Sequence, residues 1–122
     1  MMLTIDTTNV RNFTVPQGSD FVYVFQFADS TGKAIDFTGV TAAMQLRLTA
    51  DAADPAIIDL TTENGGIEVD PELGTIAAVM TEAQTAAFTF TTAVYDLEVT
   101  YSEGTTRREA QGTVTLDLNV TR

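Results

Sequence analysis

The chain has 122 residues, 17 acidic and 6 basic side chains, a formal charge of −11, and no Cys, His or Trp. This composition excludes a disulfide framework, a thiolate nucleophile and a Cys-based zinc site, and it removes the commonest general base. So acidic a surface repels phosphate backbones and anionic headgroups, so neither nucleic acid nor a membrane is expected as a partner. It either keeps the protein soluble or steers it toward a basic surface.

The hydrophobic share, 44%, is too high for a disordered chain, and Thr occurs 22 times, which suits pleated sheets. The length fits a single domain over residues 1–122. No apolar run approaches the roughly 18 residues of a membrane span. The opening MMLTIDTTNV lacks a basic n-region and an apolar core, so it reads as an extended arm over 1–9 and not as a signal peptide.

In chain order, Val10 to Val15 is a short strand ended by Pro16-Gln17-Gly18. Phe21 to Phe27, FVYVFQF, is apolar on both parities up to Gln26, the pattern of a central strand covered on both faces. Asp29-Ser30-Thr31-Gly32 is a turn, because Asp bonds its own backbone and Gly supplies positive φ. Ala42, Met44, Leu46 and Leu48 alternate with polar residues in a further strand, and a polar loop, 50–56, follows. Short strands at Ile57–Leu60 and Ile67–Val69 flank Glu63-Asn64-Gly65-Gly66, and Asp70–Gly74 turns the chain into a strand from Thr75 to Met80. Thr81 and Gln84 have capping-box spacing, which predicts a short helix at about 82–88. The β-branched run from Thr89 to Thr92 then stops it.

The last quarter alternates strictly. Tyr95, Leu97, Val99 and Tyr101 share one parity, and so do Val114, Leu116, Leu118 and Val120. With Glu103-Gly104 as a two-residue turn, Glu98 faces Glu109, and Tyr95, Leu97, Val99 and Tyr101 share a face with Gly112, Ala110, Arg108 and Thr106. The second strand then runs to about 16 residues, longer than usual, with Gly112 as its expected kink or bulge. Many short strands, frequent turns and one crossing helix read together as an all-β, antiparallel immunoglobulin-like β-sandwich.

No residue set points to catalysis. Only Ser19, Ser30 and Ser102 offer serine hydroxyls, with no His to activate them, and Glu63-Asn64-Gly65-Gly66 lacks the later Gly and Lys of a phosphate loop. No cofactor is expected. Asp51, Asp54 and Asp59 are either solvated loop acids or weak calcium ligands, since calcium takes several converging carboxylates. Phe21, Tyr23, Phe25, Phe27, Tyr95 and Tyr101 are either core or a docking edge. The Arg107-Arg108 pair either balances Glu98 and Glu109 or anchors an acidic neighbour. The interface candidates are therefore Tyr95, Tyr101, Arg107, Arg108 and the terminal Arg122.

Over residues 18–122 the order of signals resembles immunoglobulin-like proteins of tailed-phage virions, in particular the baseplate upper protein N-terminal domain family. The matching features are the spaced Asp29, Gly32, Asp36 and Gly39, a glycine turn into Ile67, the capped helix and the YDLEV strand (95–99). The resemblance implies a non-catalytic tail or baseplate subunit located in the virion. Its partners would be other virion proteins or further copies of itself. Such modules often precede a fibre or receptor-binding region, whereas this sequence ends at Arg122, so a stand-alone subunit or an attachment piece is expected. Capsid decoration is the alternative within that class, and a carbohydrate- or calcium-binding module is the alternative outside it.

Overall fold

The computed structural model describes residues 9–121. Two sheets pack face to face as an immunoglobulin-like sandwich. The strands are β1 (Asn9–Val10), β2 (Phe13–Pro16), β3 (Phe21–Gln26), β4 (Thr41–Arg47), β5 (Ile58–Thr61), β6 (Ile67–Asp70), β7 (Thr75–Met80), β8 (Thr92–Thr100) and β9 (Thr106–Asp117), with helix α1 (Glu82–Ala86) between β7 and β8. The larger sheet runs β1–β9–β8–β4–β5, with β2 also on β9, and the smaller runs β3–β7–β6. The fold class is as the alternation predicted, with one addition: β1 and β2 pair with β9 in parallel. Among the described residues no helix is long and apolar enough to cross a membrane.

Period-two patterning builds the core. Ala42, Met44 and Leu46 of β4, Ala93, Tyr95, Leu97 and Val99 of β8, and Ala110, Val114 and Leu116 of β9 are buried from the larger sheet. Phe25, Ile67, Ile76, Ala78 and Met80 meet them from the smaller one. Each fully buried large side chain contributes about 1.5–3 kcal/mol. Phe13 closes the β2 side, stacking on Tyr23 at 4.4 Å and tilted against Tyr95 at 5.2 Å.

The capped helix forms as predicted, ending two residues early. Thr81 Oγ1 accepts the Gln84 N–H at 3.2 Å, and Gln84 Oε1 accepts the Thr81 N–H at 2.8 Å. The helix is also tied to the turn after β2. Asp20 Oδ1 accepts the Glu82 N–H at 2.7 Å. The buried Thr85 hydroxyl donates to Ser19 O at 2.8 Å and accepts from the Gly18 N–H at 3.0 Å. The one buried polar side chain among the described residues is thus satisfied.

Three expectations are corrected. First, among the described residues β3 is an edge strand, paired with β7 alone, and Val22 and Val24 stand on its open face at 54% and 53% exposure. An unbroken apolar run does not distinguish a doubly covered strand from an edge strand with valines outside.

Second, the β8–β9 turn closes on Tyr101 and Thr105, with Ser102, Glu103 and Gly104 between them. The Tyr101 N–H donates to Thr105 O and the Gly104 N–H to Tyr101 O, both at 2.8 Å, with Gly104 at φ 100. This is a tight turn followed by a left-handed glycine. It sets Glu98 opposite Arg108, and a bulge between Leu97 and Glu98 then leaves Glu109 unpaired in the ladder. No Glu98–Glu109 pair forms. Below the bulge the expected pairs hold, Leu97 with Ala110 and Tyr95 with Gly112, but above it Val99 faces Arg107 and not Arg108. Gly112 lies in regular register, so it is not itself the bulge.

Third, β9 stops at Asp117, leaving Leu118 and Val120 exposed at 68% and 89%. Their parity belongs to a strand that has run out of partners. The excess of β9 over β8 is taken up inside the molecule, where β2 pairs it from Val114 to Asp117.

Candidate interaction surface

The predicted site residues do not form one cluster. Tyr95 is core, not interface: it is 4% exposed, and its hydroxyl donates to Arg11 O at 2.5 Å. Burial foremost, then the neighbouring Tyr23, pushes its phenol well above the usual tyrosine range against the opposing charge of Arg11.

Tyr101 is half-buried just past the end of β8, with its ring 6.3 Å from Phe37. Its hydroxyl donates to Glu109, the bulged residue, and the Arg107 guanidinium lies 5.5 Å over its ring. Burial, followed by the Glu109 hydrogen bond and charge, raises this phenol strongly too, against the opposing Arg107. The bulge creates this trio, because it turns Arg107 onto the Tyr101 side and frees Glu109 to reach the hydroxyl.

Arg108 points to the other face and pairs with Asp96 at 3.4 Å while donating to Gln111 at 3.0 Å. The adjacent arginines therefore serve opposite faces and do not form one basic patch. Arg122 and the proposed arm before Asn9 lie outside the described residues.

The outer face of the larger sheet holds a shallow cavity of about 820 Å³, lined among others by Gln45, Arg47, Asp96, Glu98, Arg108 and Gln111. Strand alternation puts them there, with Gln45, Asp96 and Gln111 in one row across β4, β8 and β9. Arg47 donates to Gln45 Oε1 at 2.8 Å and bridges to Asp54 at 2.6 Å. The exposed carboxylate of Asp54 makes this a surface pair worth under about 1 kcal/mol. The face presents amides and charges that hydrogen-bond or dock.

Asp51, Asp54 and Asp59 are not brought together as calcium ligands. Asp51 accepts from Thr49 at 2.9 Å, Asp54 holds Arg47, and Asp59 lies on β5 within 3.4 Å of Gln45. Among the described residues no group of three acidic, His or Cys side chains is placed to hold a metal ion. The acids with marked shifts are in turns instead. Asp29 and Asp36 head matching Asp-x-Thr-Gly turns, where each Oδ1 accepts both the N–H and the hydroxyl of Thr31 or Thr38. Those bonds, the hydroxyl first, hold both carboxyls below the usual value. Gly32 and Gly39 close the turns at φ 85 and 75.

Sequence reasoning missed Arg11. Its guanidinium lies 4.8 Å from the Phe27 ring centre and 5.8 Å from that of Phe25, and donates to Gln26 O at 2.9 Å. Its carbonyl receives Tyr95, so one residue joins β2, β3 and β8. No periodicity marks such a residue, because it sits in the irregular step between β1 and β2.

No family model matches the chain, and no curated protein matches it. Among solved structures, similarity is found to one described as "Structure-based site-directed photo-crosslinking analyses of multimeric cell-adhesive interactions of VGSC beta subunits". It is 10% identical, with 98% of this chain and 100% of that chain covered, at a TM-score of 0.37.

Proposed function

We propose that the chain is a non-catalytic structural protein of a tailed-phage virion, an adaptor or attachment subunit at the tail or baseplate. The observation that carries this reading is the resemblance over residues 18–122, in which the two Asp-x-Thr-Gly turns, the glycine turn into β6, the capped α1 and the YDLEV strand follow in order. The disposition of polar groups is compatible with it. The buried hydroxyl of Thr85 and the half-buried Tyr101 and Arg47 are engaged in structural bonds, and the cavity on the larger sheet offers docking chemistry. Its partners are other virion subunits and further copies of the chain.

The test is quantitative mass spectrometry of purified tailed-phage particles from cells carrying this gene. A few to a few dozen copies per particle is the expected result. Hundreds of copies assign the chain to capsid decoration, and absence from particles overturns the reading. The amide- and arginine-lined cavity also favours a second reading, a carbohydrate-binding module. Titration calorimetry against a glycan panel decides that reading, and no heat with any glycan removes it.

A further inference from the structure

We infer that Asn64 is a modification site held shut by the fold. It deamidates to aspartate and isoaspartate when the crossing from β5 to β6 opens, and it is protected while that crossing is closed. The asparagines of the chain are Asn9, Asn12, Asn64 and Asn119, and Asn64 alone precedes a glycine. The others precede the bulkier Val10, Phe13 and Val120. Even a Cβ on Gly65 would meet nothing within 4 Å, so its nitrogen is open to close approach.

The reaction needs only water. The Gly65 nitrogen gives its proton to solvent and attacks the side-chain carbonyl carbon of Asn64. The new C–N bond closes a cyclic imide, the Cγ–Nδ2 bond breaks, and Nδ2 leaves as ammonia with protons from water. A second water opens the imide at either carbonyl and leaves aspartate or isoaspartate at position 64. In sum, one water is consumed and one ammonia is released.

The fold holds both polar atoms of the amide away from this path. Asn64 Oδ1 accepts the Thr61 N–H at 2.9 Å and the Gly66 N–H at 2.8 Å, and Nδ2 donates to Asp59 O at 2.9 Å. The Asn64 N–H in turn donates to Thr61 Oγ1 at 2.9 Å. Closing the imide turns the amide onto the Gly65 nitrogen and takes Nδ2 from Asp59, so these bonds must first give way. The loop has little room to yield: a Cβ on the buried Gly66 would lie 2.7 Å from Leu60 Cδ2 and 2.9 Å from Asn64 Oδ1. Charge acts in the same direction. Residues 48–106 hold 11 acids and no base, and a nitrogen anion beside Glu63 is disfavoured by like charge.

The product keeps the crossing open. A carboxylate oxygen replaces the donor that faced Asp59 O, and isoaspartate adds an atom to the backbone. The crossing joins the last strand of each sheet, so both outer strands loosen together.

The test incubates the full chain folded and in urea at one pH, and reads deamidation by mass spectrometry of its peptides. In urea Asn64 is expected to convert ahead of Asn12 and Asn119. In the folded chain it is expected to convert at least about tenfold more slowly, the least that three net hydrogen bonds imply. Thr61→Ala removes the acceptor of the Asn64 N–H and is expected to speed the folded reaction with the urea rate unchanged, while Thr61→Ser keeps the folded rate slow. Equal rates in the folded and unfolded chain overturn the proposal. A faster folded rate also overturns it and makes the two N–H groups on Oδ1 an oxyanion hole. So does conversion of Asn12 or Asn119 in urea as fast as Asn64, a folded rate unmoved by Thr61→Ala, or one raised equally by Thr61→Ser.

Discussion

The outer edge of β9 and the outer edge of β3 are built in opposite ways. The β9 edge is sealed. Two short parallel strands cover it, Asn12 Oδ1 accepts the Thr113 N–H at 2.9 Å, and the Tyr95 hydroxyl reaches through to Arg11 O. Gly112 makes room for this, since a Cβ there would lie 2.3 Å from Arg11 O. Among the described residues the β3 edge has one guard, the Arg11 guanidinium at Gln26, and beyond it Val22 and Val24 stand exposed. The contrast shows that edge protection is local. The longest strand of the fold is closed by contacts from 100 residues earlier in the chain, while a strand rich in aromatics is left open.

The largest expected effect breaks the sealed edge. Phe13→Ala removes the ring that stacks on Phe21 and Tyr23 and is expected to destabilise the domain by about 3–5 kcal/mol, measured by urea unfolding. Gly112→Val drives a side chain into the Arg11 backbone and is expected to cost about 1–3 kcal/mol. Hydrogen exchange should then show lost protection in β1 and β2 before the rest of the larger sheet.

Tyr95→Phe keeps the ring and deletes the hydrogen bond to Arg11, an expected loss of about 1 kcal/mol at neutral pH. It also sharpens the comparison through pH. The folded state raises the Tyr95 phenol above its unfolded value near 10, so above pH 10 the unfolded chain releases a proton that the folded chain keeps. Stability is therefore full below pH 10 and falls as pH rises above it, and Tyr95→Phe should make that alkaline fall shallower. Tyr101 acts with the same sign, so a residual slope remains until Tyr101→Phe is added.

The smallest effect belongs to the open edge. Val24→Lys should change the stability of the isolated subunit by no more than about 0.5 kcal/mol, because an exposed side chain has little packing to lose. A large loss would show β3 to be covered within the single chain and would erase the contrast.

The proposed capping box at Thr81 and Gln84, the strand from Thr75 to Met80 and the inward parity of Tyr95, Leu97, Ala110 and Val114 were legible because each depends on neighbours within a few residues. The candidate surface was less legible. Tyr95 and Tyr101 share a parity, yet one is sealed in the core and the other stands at the rim. Arg107 and Arg108 are adjacent, yet a bulge decides which of them meets Tyr101. The calcium candidates failed for the same reason, since proximity in sequence across 51–59 does not aim carboxylates at a common point.

By itself, then, the sequence determined most of the strands, where the chain turns, the capped helix and the absence of cysteine or histidine chemistry, because alternation, capping and composition act locally. Only the tertiary structure decided which strand lies at an edge, where the ladder bulges, and what Arg11 and Gly112 are for. Those outcomes depend on which backbone comes to lie against which, and residues such as Arg11 and Tyr95, 84 positions apart, carry no mark of that meeting in their own neighbourhoods.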